Sequence, residues 1–223
     1  MPSWLKEGRG SLCGANVSLL LREMGITKPL LVAGERTKNV FFARTGMRLP
    51  VFDAFHPNPD LQDCVAGAAL YQEKGCDGLI SIGGGSAMDT AKGIKALLMT
   101  DIAHVRANQL PPEGKVPHLA IPGTAGTGAE TTAVAVLYED GQKLSVDHPA
   151  LLPDGVLLDG SLLDTLPEYH RKSCAMDALA QGIESWWAKK ATPGSRIHAE
   201  RAIRGVLDNL TAYLQGDRKA QDE

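Results

Sequence analysis

Ile80-Ser81-Ile82-Gly83-Gly84-Gly85-Ser86-Ala87-Met88-Asp89-Thr90-Ala91-Lys92 decides the reading of this chain, because an apolar strand runs directly into three glycines and then into helix-forming residues. A glycine backbone, lacking Cβ atoms, can come close to a pyrophosphate, and the free N–H groups and positive dipole end of a following helix attract its charge. A bare strand-to-helix turn is the alternative for any glycine cluster. The order strand, glycines, Ser86, then Asp89 and Lys92 three residues apart on one helix face, points instead to a phosphate cradle.

Downstream, a second glycine loop, Ile121-Pro122-Gly123-Thr124-Ala125-Gly126-Thr127-Gly128-Ala129-Glu130-Thr131-Thr132, follows the short apolar strand His118 to Ile121. Two hydroxyl-rich glycine loops suggest one extended anionic ligand. Upstream, Ala15, Val17, Leu19, Leu20, Leu21 and Met24 mark an amphipathic helix over 14–24, closed by Gly25, and Pro29 to Ala33 reads as a buried strand. Leu49 to Phe55 predicts another strand. Asn58-Pro59-Asp60 predicts a helix start with Asn58 as N-cap and Pro59 at the first helical position, and Leu61, Val65, Ala68 and Ala69 form its buried stripe. Strand Gly78 to Ile82 then leads through the glycines to a helix whose Ala87, Ala91, Ile94 and Leu98 repeat at helical spacing. Strands alternating with helices imply an α/β fold, a Rossmann-like and mainly parallel sheet with its ligand at the carboxyl ends of the strands.

Past Thr132 the pattern changes. Ala133 to Tyr138 is strand-like, Asp140-Gly141 is a hairpin signal, and Gln142 to Val146 can return antiparallel. After the strand Val156 to Asp159 the text is helical from Ser161 to about Gln215, with helices around Met176 to Trp187 and Ile197 to Leu214, and Gly216 to Glu223 reads as a frayed charged tail. The division expected is 1–160, a dinucleotide-binding α/β domain, and 161–223, a partial all-helical metal and substrate domain.

Composition sets outer bounds. In 223 residues, 43% apolar content suits a soluble globular protein, and a net charge of −3 with no basic run longer than two residues argues against nucleic acid or anionic lipid as partner. Cys13, Cys64, Cys76 and Cys174 show no CxxC spacing, so neither a zinc knuckle nor a disulfide framework is indicated and a reducing, cytoplasmic setting is the simpler reading. Charges and glycines interrupt the first twenty residues, and no stretch approaches the roughly 20 apolar residues of a membrane span.

The two loops resemble the iron-containing (group III) alcohol dehydrogenase family, whose members carry GGGSxxDxAK and IPTTAGTGSE at this separation. Cys174-Ala175-Met176-Asp177-Ala178-Leu179-Ala180-Gln181-Gly182-Ile183-Glu184 resembles the family's metal helix, GMDALTHAIE. The resemblance implies an oxidoreductase that interconverts a small alcohol and aldehyde with NAD or NADP. Gly83, Gly84, Gly85 and Ser86 would hold the pyrophosphate. Asp89 would face the nicotinamide or substrate as a catalytic candidate, or else be a helix-surface carboxylate paired with Lys92. Thr124, Thr127 and Thr132 would offer hydroxyls to the cofactor, or serve only as turn and cap residues, and Lys143 and Leu162 align with cofactor-lining positions. Gly34-Glu35-Arg36-Thr37 stands where many members have Asp. Gly34 removes the carboxylate that bonds a ribose 2′-OH, and Arg36 with Thr37 can accept a 2′-phosphate, so NADP is expected to be tolerated or preferred.

Asp177 and Gln181, four residues apart, share a helix face. The matching family positions are Asp and His, two of the four ligands to Fe²⁺ or sometimes Zn²⁺, which acts as a Lewis acid on the substrate oxygen. Gln181 is a neutral and poorer ligand than imidazole, and nothing in the chain matches the two remaining histidines. His56, His104, His118, His148, His170 and His198 lie outside such motifs. Ala180-Gln181-Gly182-Ile183-Glu184-Ser185-Trp186-Trp187 is similar to the phosphonoacetaldehyde reductase-like branch, QAIESYWSVNSTEES, where Gln is usual and the implied substrate is a small anionic aldehyde. On this resemblance the chain is expected to lack much of the helical domain, to bind metal weakly, and to be poorly soluble or dimeric. The stretch between Val32 and Val51 also looks short for the family, as if a helix were trimmed. Two other readings stay open: a catalytically inactive nucleotide-binding remnant, and the sister group of dehydroquinate synthase-like lyases and glycerol-type dehydrogenases.

Overall fold

The computed structural model describes residues 6–9, 11–112 and 116–222. The chain divides into two compact units, one of Met1–Pro122 with Ala129–Leu158, the other of Gly123–Gly128 with Asp159–Glu223. In chain order the first runs β1 (Lys6–Arg9), α1 (Gly14–Met24), β2 (Pro29–Ala33), α2 (Glu35–Thr45), β3 (Val51–Phe52), α3 (Leu61–Lys74), β4 (Gly78–Gly83), α4 (Gly85–Met99), α5 (Ile102–Arg106), β5 (His118–Pro122), β6 (Val134–Glu139), β7 (Gln142–Asp147) and β8 (Gly155–Leu158).

Six strands form one sheet in the order β1-β8-β5-β4-β2-β3, and every pairing is parallel. β2 and β4 are buried along their whole length because helices cover both faces. Leu30, Val32 and Leu79 join Leu61, Cys64, Ala91, Ile94, Ala135 and Leu137 in one core under α3, α4 and the β6–β7 hairpin. That hairpin turns at Asp140 (φ 50°) and Gly141 (φ 73°), the positive φ pair its strand twist demands.

The structure corrects several local expectations. α3 begins at Asp60, not Asn58: the Asp60 carboxylate accepts from Gln62 N–H at 2.8 Å and Asp63 reaches back to Asp60 N–H, while Asn58 sits at φ 59°. Its buried stripe is Leu61, Cys64, Gly67 and Ala68, with Val65 and Ala69 exposed, because α4 approaches on that side. β3 is only two residues long, since past Phe52 the chain turns to other partners: Asp53 pairs with Lys38 and His56 N–H with Asp63. The stretch after β2 holds α2, a helix of 11 residues. β1 carries no apolar alternation and was invisible to periodicity. Its backbone pairing with β8 places it at the sheet edge.

The second unit holds α6 (Glu168–Trp187), α7 (Pro193–Leu214) and α8 (Arg218–Asp222) after a 3-10 turn at Gly160–Thr165. Thr192 caps α7 through a reciprocal pair with Ser195. The tail read as frayed is helical: Ala220 and Gln221 are buried with Leu163, Leu166 and Tyr213, and Arg218 pairs with Asp164. No helix among the described residues is long and apolar enough to cross a membrane.

Candidate functional site

The glycine bend stands where β4, flanked by β5 and β2, ends. Gly83 adopts φ 147°, a conformation side chains rarely take, and a Cβ there would lie 3.1 Å from that of Ala87. Gly84 is the N-cap of α4 with no side-chain cap, and Met88 N–H makes the first back-bond, to Gly84 O at 3.3 Å. The N–H groups of Gly85, Ser86 and Ala87 therefore have no partner within the helix. Gly84, Gly85 and Ser86 are half-buried, so the bend stands open to an anion.

Neighbouring segments brace this bend. Ser86 Oγ accepts from Asn58 N–H at 3.4 Å, tying the loop before α3 to the start of α4. Thr37, whose hydroxyl donates to Gly34 O at 3.1 Å, comes within 3.9 Å of the Cβ position of Gly83, so the first turn of α2 flanks the glycines. Gly34 is the N-cap of α2, and Glu35, the first helical residue, is bound by Lys38 and by Asn39. The Lys38 ammonium holds the exposed Glu35 carboxyl below its usual range.

α4 is buried nearly all round, and its charged groups have defined partners. Lys92 is fully buried and its three donors reach Ala129 O (2.8 Å), Val134 O (2.8 Å) and Thr132 Oγ1 (3.0 Å). Burial pulls its pKa down to about 8 against the opposing pull of Asp89 and Glu130. Lys92 thus spends no donor on Asp89, and the surface pair considered for that residue is not formed. Asp89 accepts from Val136 N–H, and burial pushes its pKa up to about 6 while Lys92, that N–H and Lys143 pull it down. The lysine's role went unread because it joins residues up to 42 positions apart.

Deeper in the same unit, Lys95 donates to Leu152 O (3.2 Å) and to Asp154 (3.1 Å), and Asp154 also accepts from His118 N–H. His118 is completely buried against Ser81 Oγ at 2.8 Å, a core partner and no ligand.

The remaining sequence candidates are spread over both units. Thr132 is occupied, its hydroxyl donating to Ala129 O at 3.3 Å while accepting from Lys92. Lys143 is exposed on β7 opposite Tyr138. In the second unit Thr124 is half-buried, Thr127 exposed, and Leu162 buried in the 3-10 turn. Gly126 there packs against α6, where a Cβ would lie 3.0 Å from Cys174 Cα, so part of the second loop's glycine content answers to helix packing. Asp177 is half-buried one turn before exposed Gln181, whose Nε2 donates to Gly126 O at 3.4 Å. Among the described residues no group of three or more His, Cys, Asp or Glu side chains could hold a metal.

An open glycine bend ending the central parallel strand, with a buried Asp–Lys helix behind it, is joined by a direct match: residues 2–160 fit the description iron-containing alcohol dehydrogenase. The chain belongs to the iron-containing alcohol dehydrogenase family. It is similar to the probable alcohol dehydrogenase EutG of Escherichia coli K12, 36% identical over 191 residues, covering 83% of this chain and 45% of that protein. It is also similar to 4-hydroxybutyrate dehydrogenase of Cupriavidus necator, 36% identical over 233 residues, 90% of this chain and 61% of that one. Among solved structures, sulfoacetaldehyde reductase from Bifidobacterium kashiwanohense in complex with NAD+ superposes with a TM-score of 0.87 at 28% identity, covering 99% of this chain and 62% of that chain. The chain thus spans about half to three fifths of the length of these family members.

Two donors, a carboxylate and a neutral amide, fall short of the three or more protein ligands that catalytic zinc sites use. Asp177 and Gln181 do not by themselves fit the metal that the family's description names.

Proposed function

We propose that this chain binds NAD or NADP and supplies the dinucleotide-binding part of an oxidoreductase that interconverts a small alcohol and its aldehyde. The bend Gly83–Ser86 carries this reading, because helix-start N–H groups with no partner within the helix lie at the carboxyl end of a central strand, where Gly84, Gly85 and Ser86 are half-buried. Gly85, Ser86 and Ala87 would donate main-chain hydrogen bonds to the diphosphate. Lys92, clamping Ala129, Thr132 and Val134, would keep the strand-to-hairpin connection in register with the cradle. A bound nicotinamide would give or take the hydride at the substrate's carbinol carbon. Asp89, Thr124, Thr127, Lys143 and Leu162 are proposed to line the cofactor and substrate path, a role that rests on the family resemblance.

At the end of β2, Gly34 with Arg36 and Thr37 supports tolerance of a 2′-phosphate, since the carboxylate nearby, Glu35, is partly neutralised by Lys38. A small anionic aldehyde is the proposed substrate, supported by the wording around Gln181 and by the likeness to sulfoacetaldehyde reductase. The four free cysteines suit a reducing, cytoplasmic setting. No step is derived through Fe²⁺ or Zn²⁺, given the two-donor set on α6. That same set favours a second reading, nucleotide binding without catalysis.

Fluorescence titration with NADH and NADPH tests the first claim. Saturable binding of both is expected, weakened about tenfold or more by Ser86→Asp, which sets a carboxylate beside the diphosphate. Failure to bind either nucleotide would sink the reading, and a large preference for NADH would remove the 2′-phosphate claim. Nicotinamide absorbance with phosphonoacetaldehyde, sulfoacetaldehyde or propionaldehyde, with and without added Fe²⁺ or Zn²⁺, separates turnover from binding alone.

A further inference from the structure

The carboxyl ends of β2 and β3 carry a bridge of charges that no sequence motif marks. The Lys38 ammonium donates to Asp53 Oδ2 at 2.7 Å and also to the Glu35 carboxylate. Lys38 is the inner member, its side chain 19% exposed, while Asp53 at 42% and Glu35 at 75% face solvent. Asn39 Nδ2 holds the other Glu35 oxygen at 3.1 Å. Strand register places the bridge. Val51 and Phe52 pair with Leu31 and Val32, so Asp53 follows level with Ala33, which itself pairs with Ile82 of β4. Asp53 therefore stands two strand spacings, about 10 Å, to one side of the strand that ends in the glycine bend. Between them Gly34 leaves room: a Cβ there would meet no atom within 4 Å, and α2 starts from it without a side-chain cap. The positive end of α2 opens onto that space, and Glu35 and Lys38 belong to the same first turn.

We propose that Lys38 and Asp53 set the choice between NADH and NADPH. This inference rests on the reading of the glycine bend as the seat of a dinucleotide diphosphate. In such a fold the adenosine ribose is read at the end of the strand beside the glycine turn, here β2. A 2′-phosphate brings about two negative charges to that place. Lys38 attracts it and Asp53 repels it. With two carboxylates to one ammonium, the bridge carries an excess of one negative charge, which offsets the positive end of α2 and lets the chain accept both nucleotides. Asp53 is the stronger of the two acids in this respect. Glu35 is largely in water, which screens its charge, and one of its oxygens is already occupied by Asn39.

Fluorescence titration of the full chain with NADH and NADPH, read as the ratio of the two dissociation constants, is the test. Asp53→Asn should move the ratio about fivefold or more toward NADPH, and Lys38→Met about as far toward NADH. Both substitutions break the same ion pair, so a purely structural bridge predicts that they act alike. Opposite signs require that its charges meet the cofactor. Lys74→Met, which changes the net charge equally at the exposed Lys74–Glu73 pair, should leave the ratio where it is. An unchanged ratio in both variants, shifts of the same sign, or a Lys74→Met shift as large as that of Lys38→Met would each overturn the proposal while leaving nucleotide binding intact. A chain that binds neither nucleotide would remove the dinucleotide reading itself, and this inference with it.

Discussion

Asp89 and Lys92 show how three residues of helix can set a pH response. Asp89 has its pKa raised from 3.8 to about 6, so the folded state holds that proton more firmly than the unfolded chain. Its contribution to stability is full below pH 4 and is lost as pH rises toward 6. Lys92 is lowered from 10.5 to about 8, so the folded state releases its proton earlier and stability recovers as pH rises from 8 toward 10.5. Urea unfolding of wild type and Asp89→Asn at a series of pH values isolates the first group. The wild-type advantage should shrink between pH 4 and 6, with a slope no steeper than about 1.4 kcal/mol per pH unit. A difference that stays flat over that window would contradict the assignment. Nothing in the order of residues 86–92 reveals these shifts, because the burial behind them comes from the β6–β7 hairpin and the turn at Ala129–Thr131.

Single elements were legible to the extent that their own residues decide them. The Asp140-Gly141 hairpin and the Gly25 stop of α1 are local chemistry, and the strand Pro29–Ala33 matches its apolar run. The start of α3 was misplaced by two residues because Asn58 and Asp60 are both good caps in isolation. Tyr138 N–H decides between them, bonding Pro59 O at 2.9 Å and drawing the loop to β6. Asp60→Ala should therefore cost about 1 kcal/mol of stability, and Asn58→Ala much less, as measured by the shift in denaturant midpoint. Equal losses would return the cap to Asn58. The β1 edge strand and the α8 turn had no periodicity to reveal them, since pairing with β8 and packing on Leu163 and Tyr213 create them.

For the molecule as a whole, the alternation of strand and helix implied a parallel sheet, and the sheet of the first unit is parallel throughout. What holds its far end is a buried polar knot. Lys95 is 1% exposed, and its ammonium meets the Asp154 carboxylate that also takes His118 N–H. Removing one partner of such a pair strands the other, so Asp154→Ala should destabilise the chain by about 3–5 kcal/mol, far more than an exposed ion pair such as Lys74–Glu73. Thermal unfolding of the two variants would show it, and comparable losses would refute it. The sequence by itself determined the strand–glycine–helix order, the hairpin and the family, since these rest on neighbours along the chain. Tertiary structure alone decided which carbonyls Lys92 clamps, that His118 is a core residue, and that Gly126 packs against Cys174 of α6. Each of those depends on contacts tens of residues away, where no local pattern can register them.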